Sequence, residues 1–591
     1  MNYIETTKSL MNVASGLEPA ELVIVGGRIF NVFTGELLDG YAVAVKHGRI
    51  AYMGIDTENG IGPDTAVIHA NGKTLIPGLI DGHTHMAWMN TPEEFLKLAM
   101  TGGTTTIITE ISEPCPVTGI TGIIELLDAM QHQPIRIFAT APAMVSISKR
   151  TRGMRLADLE TLLRRPDVLG LGEAYWQGVL QEPDIYLPQF EKTRRFRKTL
   201  EGHSAGASEK KLNSYAAAGI SSCHEPIKAR EALDRLRLGI YVMVREGSVR
   251  RELAAMAEIK DAGIDLRRMI LVSDGISALD LKKYGYMESI VQKAIDLGFR
   301  LEDAIRMATL NVAEHFSLDG QIGAIAPGRF ADILMIPDIR TIQPETVIAN
   351  GIVIAQNGEA KMTPRAHRFS LQSRSSVQLP RPFVPEDFAV RVDGSRPSRS
   401  IRVMEMVTDL VTREYIMDLP VINKRIQADA GLDILKITAI DRAVVPGDLF
   451  TGFIRGFGLK SGAMAVSAAW DAADIIVIGE NDADMAAAVN RLHKLQGGVV
   501  VYEDGKIRAE LGLPIFGVIS DLPVDTVAAA MENITKTLAA MGVPHPDPVK
   551  TAVTLTSAAI PFFKICEEGY VRMKDGTTVG LFADENPDSK I

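Results

Sequence analysis

The sequence predicts an α/β protein built on a TIM-like (β/α)8 barrel, with a β-sandwich assembled from both barrel flanks and a C-terminal α/β domain. Three observations support this architecture. Short apolar runs alternate with helical stretches over residues 76–318, glycine-punctuated strand patterns lie on both sides of that region, and a further mixture of strands and helices follows residue 376. The length of 591 residues is enough for several domains with sizeable cores.

The first flank, residues 1–75, has the pattern of a small antiparallel β unit. Its strand-like segments include ELVIVGGRIFNV and GYAVAVKHGRIAYMG. Gly27, Gly40, Gly48 and Gly72 separate the segments, as turn residues do between short strands.

Residues 76–318 predict the barrel. Eight apolar runs are separated by helical stretches, several of which end in glycine as helix C-termini do. Eight βα units in about 240 residues match the usual size of a TIM barrel, about 250 residues. A doubly wound sheet is the alternative, but such sheets rarely need eight strands. The runs are, in order, LIPGLIDGHTH, TTTIITE, IRIFATAPA, VLGLGEAY, KTLEGHS, GISSCHE, GIYVMVRE and RMILVSD.

The chain after the barrel divides into two parts. Residues 319–375 return to strand-and-turn pattern and are expected to join residues 1–75 in one sandwich. Residues 361–400 are rich in Arg, Ser and Pro and have the composition of a linker or crossover. Residues 376–591 predict an α/β domain with a β-hairpin that turns at Asp504–Gly505.

Composition excludes several classes of function. The net charge of −10 argues against a nucleic-acid-binding surface or a polybasic membrane patch. No apolar stretch is long enough for a transmembrane helix, and the N-terminal residues lack the apolar core of a signal peptide. Three widely spaced cysteines do not make a disulfide framework, which indicates a reducing compartment and a cytoplasmic protein.

Four histidines and two carboxylates lie at the ends of predicted barrel strands. The carboxyl ends of barrel strands meet at one mouth, where active sites lie. A lone His-x-His pair is weak evidence for a metal, but six such side chains at strand ends are enough ligands for two divalent ions. The six residues are His83 and His85 after strand 1, Glu173 after strand 4, His203 after strand 5, His224 after strand 6 and Asp274 after strand 8.

These motifs resemble the adenine deaminase family of the amidohydrolase superfamily. The metal motif PGLIDGHTH is followed in order by GEAYW, GHSAG, SSCHE and SDG, and ATLNVAEHF closes the barrel. The stretches LGLPIFGVISD and DPVKTAVTLTSAAIPFFKICEEGYV resemble the C-terminal domain of that family, so the resemblance covers nearly the whole chain.

The resemblance implies a binuclear metal site. His83, His85 and Asp274 would hold one ion, and Glu173 would bridge to the second because no lysine is present there to form the carbamate that relatives use. Nitrogen and oxygen ligands suit Mn, Fe or Zn, and the sequence does not choose among them. The expected ligands of the second ion are His203 and His224.

The resemblance also implies catalytic roles. Asp274 would take a proton from the nucleophilic water and pass it to the leaving ammonia. Glu225 would either protonate a ring nitrogen of the substrate or support a metal ligand. Trp88 would stack on a planar ring or pack the barrel rim, and Ser273 is a second expected substrate contact.

Three segments differ from the residues that are usual in the family, and they keep a second function open. The segments are 86–89, 110–113 and 469–474. The chain is expected to deaminate adenine or a related heterocycle, or alternatively to open a cyclic amide as hydantoinases do. A non-catalytic binding protein is disfavoured because all six ligand positions are present. The expected partners are a small-molecule heterocycle and further copies of the chain in a homo-oligomer.

Overall fold

The computed structural model describes the chain in five stretches: residues 2–143, 146–150, 154–394, 396–560 and 562–584. It contains the predicted barrel, the sandwich and the C-terminal domain. An N-terminal helix, Tyr3–Ala14, precedes the sandwich and is capped by the side chain of Asn2, which accepts a hydrogen bond from the Glu5 backbone.

Strands from both flanks of the barrel form the sandwich. Thr74–Pro77 pairs antiparallel with Ile333–Ile336, so that Pro77 lies opposite Ile333. A seven-stranded sheet has the spatial order Glu359–Ala360, Ile352–Gln356, Thr346–Ala349, Ile333–Ile336, Thr74–Pro77, Arg28–Phe30 and Leu37–Asp39. A four-stranded sheet has the order Arg49–Gly54, Ala42–Lys46, Leu22–Val25 and Ala66–His69.

Eight parallel strands form the barrel, and all eight predicted runs contribute one strand each. Neighbours in sequence pair in parallel throughout. The last strand returns to the first, where the Asp274 backbone N–H donates to the carbonyl of His83 at 3.0 Å. The strands β1 to β8 are Leu79–Thr84, Thr104–Glu110, Arg136–Pro142, Val168–Tyr175, Thr199–His203, Ser222–Cys223, Tyr241–Arg245 and Met269–Val272.

Amphipathic helices cover the outside of the barrel. In Met287–Asp296 the buried residues recur at helical spacing, as in a helix with one apolar face. A short 3₁₀ helix, Ala257–Asp261, lies before β8. The helices are Pro92–Thr101, Cys115–Met130, Leu156–Leu163, Trp176–Gln181, Pro183–Arg195, Glu209–Ala217, Ala229–Arg237, Leu253–Met256, Ala278–Tyr284, Met287–Asp296, Leu301–Met307 and Leu310–His315.

The C-terminal domain contains an eight-stranded sheet. Its spatial order is Thr412–Pro420, Ser398–Met406, Leu449–Arg455, Ile434–Asp441, Asp474–Gly479, Ala463–Val466, Gly498–Glu503 and Lys506–Gly512. The predicted hairpin is confirmed: Asp504 and Gly505 both have positive φ, 52° and 71°, which a two-residue turn of this kind requires.

Smaller elements complete this domain. The short strands are Val390–Arg391, Arg425–Ile426, Phe563–Cys566, Gly569–Arg572 and Thr577–Val579. The helices are Leu371–Arg374, Pro385–Phe388, Asp482–Leu495, Val524–Ala540, Pro548–Val553 and Thr554–Thr556, of which the second and the last are 3₁₀.

The C-terminal domain lies on the barrel mouth. The Met89 backbone N–H donates to Val518, and the hydroxyl of Ser148 donates to Glu567 at 2.7 Å. This arrangement places C-terminal residues above the strand ends. No helix in the described part of the chain is long and apolar enough to cross a membrane. The exact domain boundaries at residues 75, 318 and 375 stay a prediction.

Candidate active site

The six predicted ligands converge at the barrel mouth around one carboxylate oxygen. Oε1 of Glu173 lies 3.1 Å from Nε2 of His203 and 3.3 Å from Nε2 of His85. The same oxygen lies 3.8 Å from Nε2 of His83 and 3.9 Å from Nε2 of His224. All four imidazoles therefore direct Nε2 toward Glu173, the residue predicted from the sequence to be the bridging ligand.

Strained backbone turns the two carboxylates inward. Glu173 and Asp274 have φ of 49° and 53°, in the left-handed region that residues other than glycine rarely adopt. At Glu173 the strain coincides with a shift in register between β4 and β5, which leaves Glu173 out of the ladder. Non-glycine residues hold such conformations where the surrounding structure enforces them, often at functional sites.

The donor set fits divalent metal ions. Single ligand atoms of His83, Glu173, His224 and Asp274 all lie within 4.8 Å of one another. A second group, within the same distance, consists of His203, His224 and Glu225. Nε2 of His224 is buried without a hydrogen-bond partner in the described part of the protein, which is costly unless another group binds it.

Carboxylates lie close to the outward nitrogens of His83 and His85. Oε1 of Glu113 lies 2.8 Å from Nδ1 of His85. Oε1 of Glu110 lies 3.4 Å from Nδ1 of His83. Metal-binding histidines usually carry such a partner on their other nitrogen, because it orients the ring and raises the basicity of the ligand.

Sequence reasoning missed Glu110 and Glu113 as part of the site. Both lie in the segment 110–113, whose difference from the family pattern keeps a second function open in the sequence. The available signal is their position, since Glu110 ends β2 and Glu113 follows it closely. Position at the end of a barrel strand is also the criterion that identifies Glu173 and Asp274.

The surroundings shift the pKa values of the imidazoles in opposite directions. Burial alone would lower the pKa of His83, but hydrogen bonds with Asp274 and Glu110 outweigh it and raise the pKa to about 10. Burial and the neighbouring positive charges of His83 and His203 lower the pKa of His224 well below its usual value. Metal binding at this site therefore has to release protons.

Arg245, at the end of β7, ties together the acids on one side of the site. Its guanidinium donates to Oε1 of Glu225 at 2.9 Å and to Oδ2 of Asp274 at 3.3 Å. It also donates two hydrogen bonds of 2.9 Å to Glu252. All four side chains are buried. Sequence analysis did not identify Arg245, although it too is the last residue of a barrel strand.

These contacts determine the charge on Glu225. Burial raises the pKa of Glu225, but the charges of His203 and Arg245 outweigh it and lower the pKa to about 2. Its Oε1 also lies 3.3 Å from Nδ1 of His203. An ionised carboxylate accepts hydrogen bonds and does not donate a proton. The contacts thus favour the second of its two predicted roles, support of a ligand.

A cavity of about 330 Å³ opens above the ligand cluster. This lies within the usual range of about 300–1,000 Å³ for small-molecule sites. One wall of the cavity comes from the barrel and contains His85, Glu173, His203, His224 and Asp274. The opposite wall comes from the C-terminal domain. The C-terminal residues on the wall are Val411, Ala469, Trp470, Asp471, Val518, Ser557, Ala559 and Ile560.

Trp470 and Asp471 belong to the segment 469–474 that differs from the family pattern. The Trp470 ring lies nearly parallel to that of His85, with centroids 5.8 Å apart. Asp471 accepts hydrogen bonds from the C-terminal domain and from Tyr175 of the barrel. Burial and the charge of Glu173 raise the pKa of Asp471.

Neither of the two predicted substrate contacts lines the cavity. Trp88 is 3% exposed and packs against Trp470, with centroids 5.6 Å apart. Ser273 is fully buried and its hydroxyl donates to Oγ1 of Thr84 at 2.8 Å. The structure therefore gives Trp88 the alternative role, packing of the barrel rim, and makes Ser273 a contact between β1 and β8. Segment 86–89 as a whole is buried and lies off the cavity wall, so its side chains do not face a ligand in the cavity.

Comparisons with known proteins match the chain along nearly its full length. The model described as "Amidohydrolase family" matches residues 74–361, and that described as "Adenine deaminase C-terminal domain" matches residues 409–577. The protein named adenine deaminase from Moorella thermoacetica is 35% identical over 576 residues, which cover 96% of each chain. Its namesakes from Clostridium botulinum (strain ATCC 19397 / Type A) and Roseobacter denitrificans are 32% and 34% identical, with 98% and 97% of each chain covered.

Solved structures match a part of the chain more distantly. A β-aspartyl dipeptidase from Fervidobacterium islandicum AW-1 is 16% identical, with a TM-score of 0.47, and the match covers 58% of this chain and 97% of that one. An adenosine deaminase from Xanthomonas campestris with bound zinc is 16% identical, with a TM-score of 0.45, and the match covers 58% of this chain and 95% of that one.

Proposed function

This chain belongs to the adenine deaminase family of the amidohydrolases, and from that premise we propose that it converts adenine and water to hypoxanthine and ammonia with divalent metal ions bound at the barrel mouth. The chain is a hydrolase acting on C–N bonds. The observation that supports the specific proposal best is the convergence of four Nε2 atoms and the Asp274 carboxylate around Oε1 of Glu173.

We assign two divalent ions to the site. His83, His85 and Asp274 would hold the first ion, and Glu173 would supply a carboxylate ligand to the site. His85 belongs to neither close group of ligand atoms, but its Nε2 faces Glu173 at 3.3 Å. Mn, Fe and Zn all suit this set of nitrogen and oxygen ligands. The ligands proposed for the second ion are His203 and His224.

The side chains around the ions move and hold protons. A divalent ion, when bound, acts as a Lewis acid and lowers the pKa of a water ligand to about 7. Asp274 is the proposed base that takes the proton from the attacking water, and Arg245 holds its second oxygen at 3.3 Å. The water oxygen adds to the ring carbon that bears the amino group, its proton goes to Asp274, and the electron pair of the ring C=N bond moves to the ring nitrogen. The carbon–amino nitrogen bond then breaks as Asp274 gives the proton to the departing ammonia, the C=N bond re-forms, and the hydroxy product tautomerises to hypoxanthine.

Glu225 is proposed as a catalytic-site carboxylate that keeps His203 oriented. Its oxygen contacts Nδ1 of His203 at 3.3 Å and faces the cavity. A ring N–H or amino group of the substrate would donate a hydrogen bond to this oxygen. A ring nitrogen without hydrogen needs a donor, and an ionised carboxylate has no hydrogen to donate.

The experiment combines metal analysis with an adenine assay. Metal-loaded protein should contain about two ions per chain, and it should release ammonia and hypoxanthine from adenine. His83→Ala and His203→Ala should each lower metal occupancy, while the matched control His69→Ala, on an exposed strand of the sandwich, should leave it unchanged. Full occupancy in both ligand variants would contradict the assignment.

The same assay decides between the two predicted reactions. Asp274→Asn should lower turnover by at least about 10²-fold, the low end of general acid–base contributions. Wild-type turnover in this variant would show that another group moves the proton. A ring-opened product with a new carboxylate, and no activity on adenine, would replace deamination by cyclic-amide hydrolysis.

We further propose a cytoplasmic location and a homo-oligomeric state. The location is supported by Cys115, Cys223 and Cys566, none of which forms a disulfide. The oligomeric state rests on the family resemblance, and light scattering of the purified protein measures it directly. A single species with the mass of one chain would contradict the proposal.

A further inference from the structure

Asp471, on the cavity wall, has one carboxylate oxygen that is free of hydrogen bonds within the described residues. Its Oδ2 accepts hydrogen bonds from the Ala558 backbone at 2.9 Å, from Ser557 Oγ at 3.0 Å and from the Tyr175 hydroxyl at 3.3 Å. Its Oδ1 has no hydrogen-bond partner among the described residues, and Asp471 lies on the cavity wall. The donors on Oδ2 thus orient the carboxylate so that Oδ1 remains available to a ligand.

The backbone at Asp471 is held in a costly conformation. Its φ of 53° lies in the left-handed region, and its carbonyl accepts a hydrogen bond from Ile147 of the barrel at 2.9 Å. Partners from both domains therefore position this residue. A carboxylate fixed this firmly loses little further freedom when a ligand binds, which favours recognition.

The charges around the cavity limit the ligand class. Six carboxylates and two guanidinium groups line it, so two divalent ions would leave the wall without net charge. A phosphate group would find no surplus of positive charge there. The carboxylates belong to Glu113, Glu173, Glu225, Glu231, Asp274 and Asp471, and the guanidinium groups to Arg245 and Arg250.

We propose that Oδ1 of Asp471 accepts a hydrogen bond from the imidazole N–H of the substrate, which makes Asp471 a specificity residue for the free base. The inference rests on the proposed function. The amino group of adenine has to face the metal ligands of the barrel, because it is the group that leaves. The imidazole N–H is the other donor of adenine, and the C-terminal wall supplies the unpaired acceptor. A nucleoside or nucleotide carries a sugar on this ring and lacks the N–H.

Binding of purine tests the hydrogen bond without catalysis. Purine retains the imidazole N–H but has no amino group to lose, whereas 7-methylpurine and 9-methylpurine lack the N–H. Calorimetry on metal-loaded wild-type protein should show at least about tenfold tighter binding of purine than of either methylpurine, as a hydrogen bond to a charged group predicts.

Asp471→Asn should remove this preference at nearly constant side-chain volume. The amide oxygen can accept the hydrogen bonds of the same three donors, Ser557, Ala558 and Tyr175. The NH₂ group would then face the cavity and oppose the ring N–H, so that two donors meet. Purine and the two methylpurines should bind this variant within about twofold of one another, less than the net value of one hydrogen bond. A merely structural role would weaken all three ligands equally.

Two controls make the outcomes decisive. Asp525→Asn, an exposed site in the same domain, should keep the wild-type preference. A preference that survives in Asp471→Asn would overturn the proposal, because the methyl groups would then be excluded by shape. Thermal unfolding shows whether Asp471→Asn is folded; if it is not, the proposal is decided by the wild-type protein, where equal affinity for purine and both methylpurines overturns it. Failure of the proposed function is separate, since it appears as absence of adenine turnover in the wild type.

Discussion

Arg245 is the residue whose loss should disturb the site most widely. It is 5% exposed and donates to Glu225, Asp274 and Glu252, which are equally buried. Burial raises the pKa of Glu252 to about 7 even with Arg245 beside it. The guanidinium is therefore the group that allows several buried carboxylates to lie close together.

Arg245→Gln is expected to lower the free energy of unfolding by about 3–5 kcal/mol, because it leaves buried carboxylates without their partner. Denaturant titration of the metal-free protein measures this change. Adding Glu252→Gln to the variant should restore part of the stability, since one of the unpaired charges is removed. A loss below about 1 kcal/mol, the range of exposed ion pairs, would show that the network does not stabilise the fold.

Glu113 should act on the metal through His85. Its carboxylate contacts Nδ1 of His85 at 2.8 Å, on the side of the ring opposite Nε2. Glu113→Gln should weaken metal binding by about 10–100-fold, the usual effect of losing such a partner. Competition with a chelator measures the affinity, and the exposed Glu58→Gln variant is the matched control. Unchanged affinity would mean that Glu113 has no influence on the ligand.

Lys564 should make stability depend on pH. Its amine is fully buried, burial lowers its pKa to about 7, and it donates to the carbonyl of Thr554 at 3.1 Å. In the unfolded chain the pKa of lysine is about 10.4. Between these two pH values the unfolded state binds a proton that the folded state lacks. The cost of burying Lys564 therefore becomes smaller, and the free energy of unfolding rises, as pH increases from 7 to about 10.

Lys564→Met should remove that dependence. The free energy of unfolding of the variant should exceed that of the wild type by most at pH 7. This difference should become smaller as the pH rises to about 10. Unfolding by denaturant at a series of pH values gives the difference between the two proteins. A difference that stays constant over this range would show that Lys564 keeps its proton in the folded state.

At the scale of elements, the lack of a side chain at Gly172 of β4 makes room for the carboxylate of Glu110 on β2. A Cβ at Gly172 of β4 would overlap both carboxylate oxygens of Glu110 and the hydroxyl of Thr140. Glu110 uses this space to accept a hydrogen bond from Thr140 at 2.6 Å and to approach His83. The absence of a side chain at residue 172 is thus part of the site.

Gly172→Ala is expected to displace Glu110 and to weaken metal binding, because His83 loses its carboxylate partner, by about 10–100-fold. The cost in stability should be about 1–3 kcal/mol, as for other overpacked cores. Gly512→Ala is the control, since this strand glycine has open space around its Cβ position. Equal metal affinity in the two variants would contradict the role given to Gly172.

At the scale of the whole molecule, the cavity lies between the barrel and the C-terminal domain. The barrel supplies the metal ligands, and the C-terminal domain supplies the wall with Trp470 and Asp471. Both domains are therefore required for a complete site. A ligand in the cavity contacts both and should bind only when both are folded.

Unreactive purine should therefore stabilise both domains. At a concentration of 100 times its Kd, a ligand of the folded state adds about 2.7 kcal/mol to the free energy of unfolding. Calorimetric scans of metal-loaded protein should show that every unfolding transition moves to higher temperature. If one transition moves and another does not, the ligand contacts a single domain.

Much of this site could be predicted from the sequence because strand ends in a barrel converge by geometry. Six ligand positions needed only the assignment of strands and the residue that ends each one. Glu110, Glu113 and Arg245 satisfied the same criterion and were missed, because acids and arginine at strand ends are also common on surfaces. Two roles stayed open for Trp88 in the sequence, because chain position near the mouth does not show which way a loop side chain turns.

The sequence alone determined the order of elements, the barrel with its two flanks, and the residue types that suit metal ions. These follow from local patterns, since apolar periodicity and turn residues act over short distances. Only the tertiary structure decided which side chains face the cavity. The left-handed backbone at Glu173, Asp274 and Asp471, and the contact of residues almost 300 positions apart in Tyr175 and Asp471, depend on the packing of whole domains. Such packing is set by many distant contacts together, and no local pattern records it.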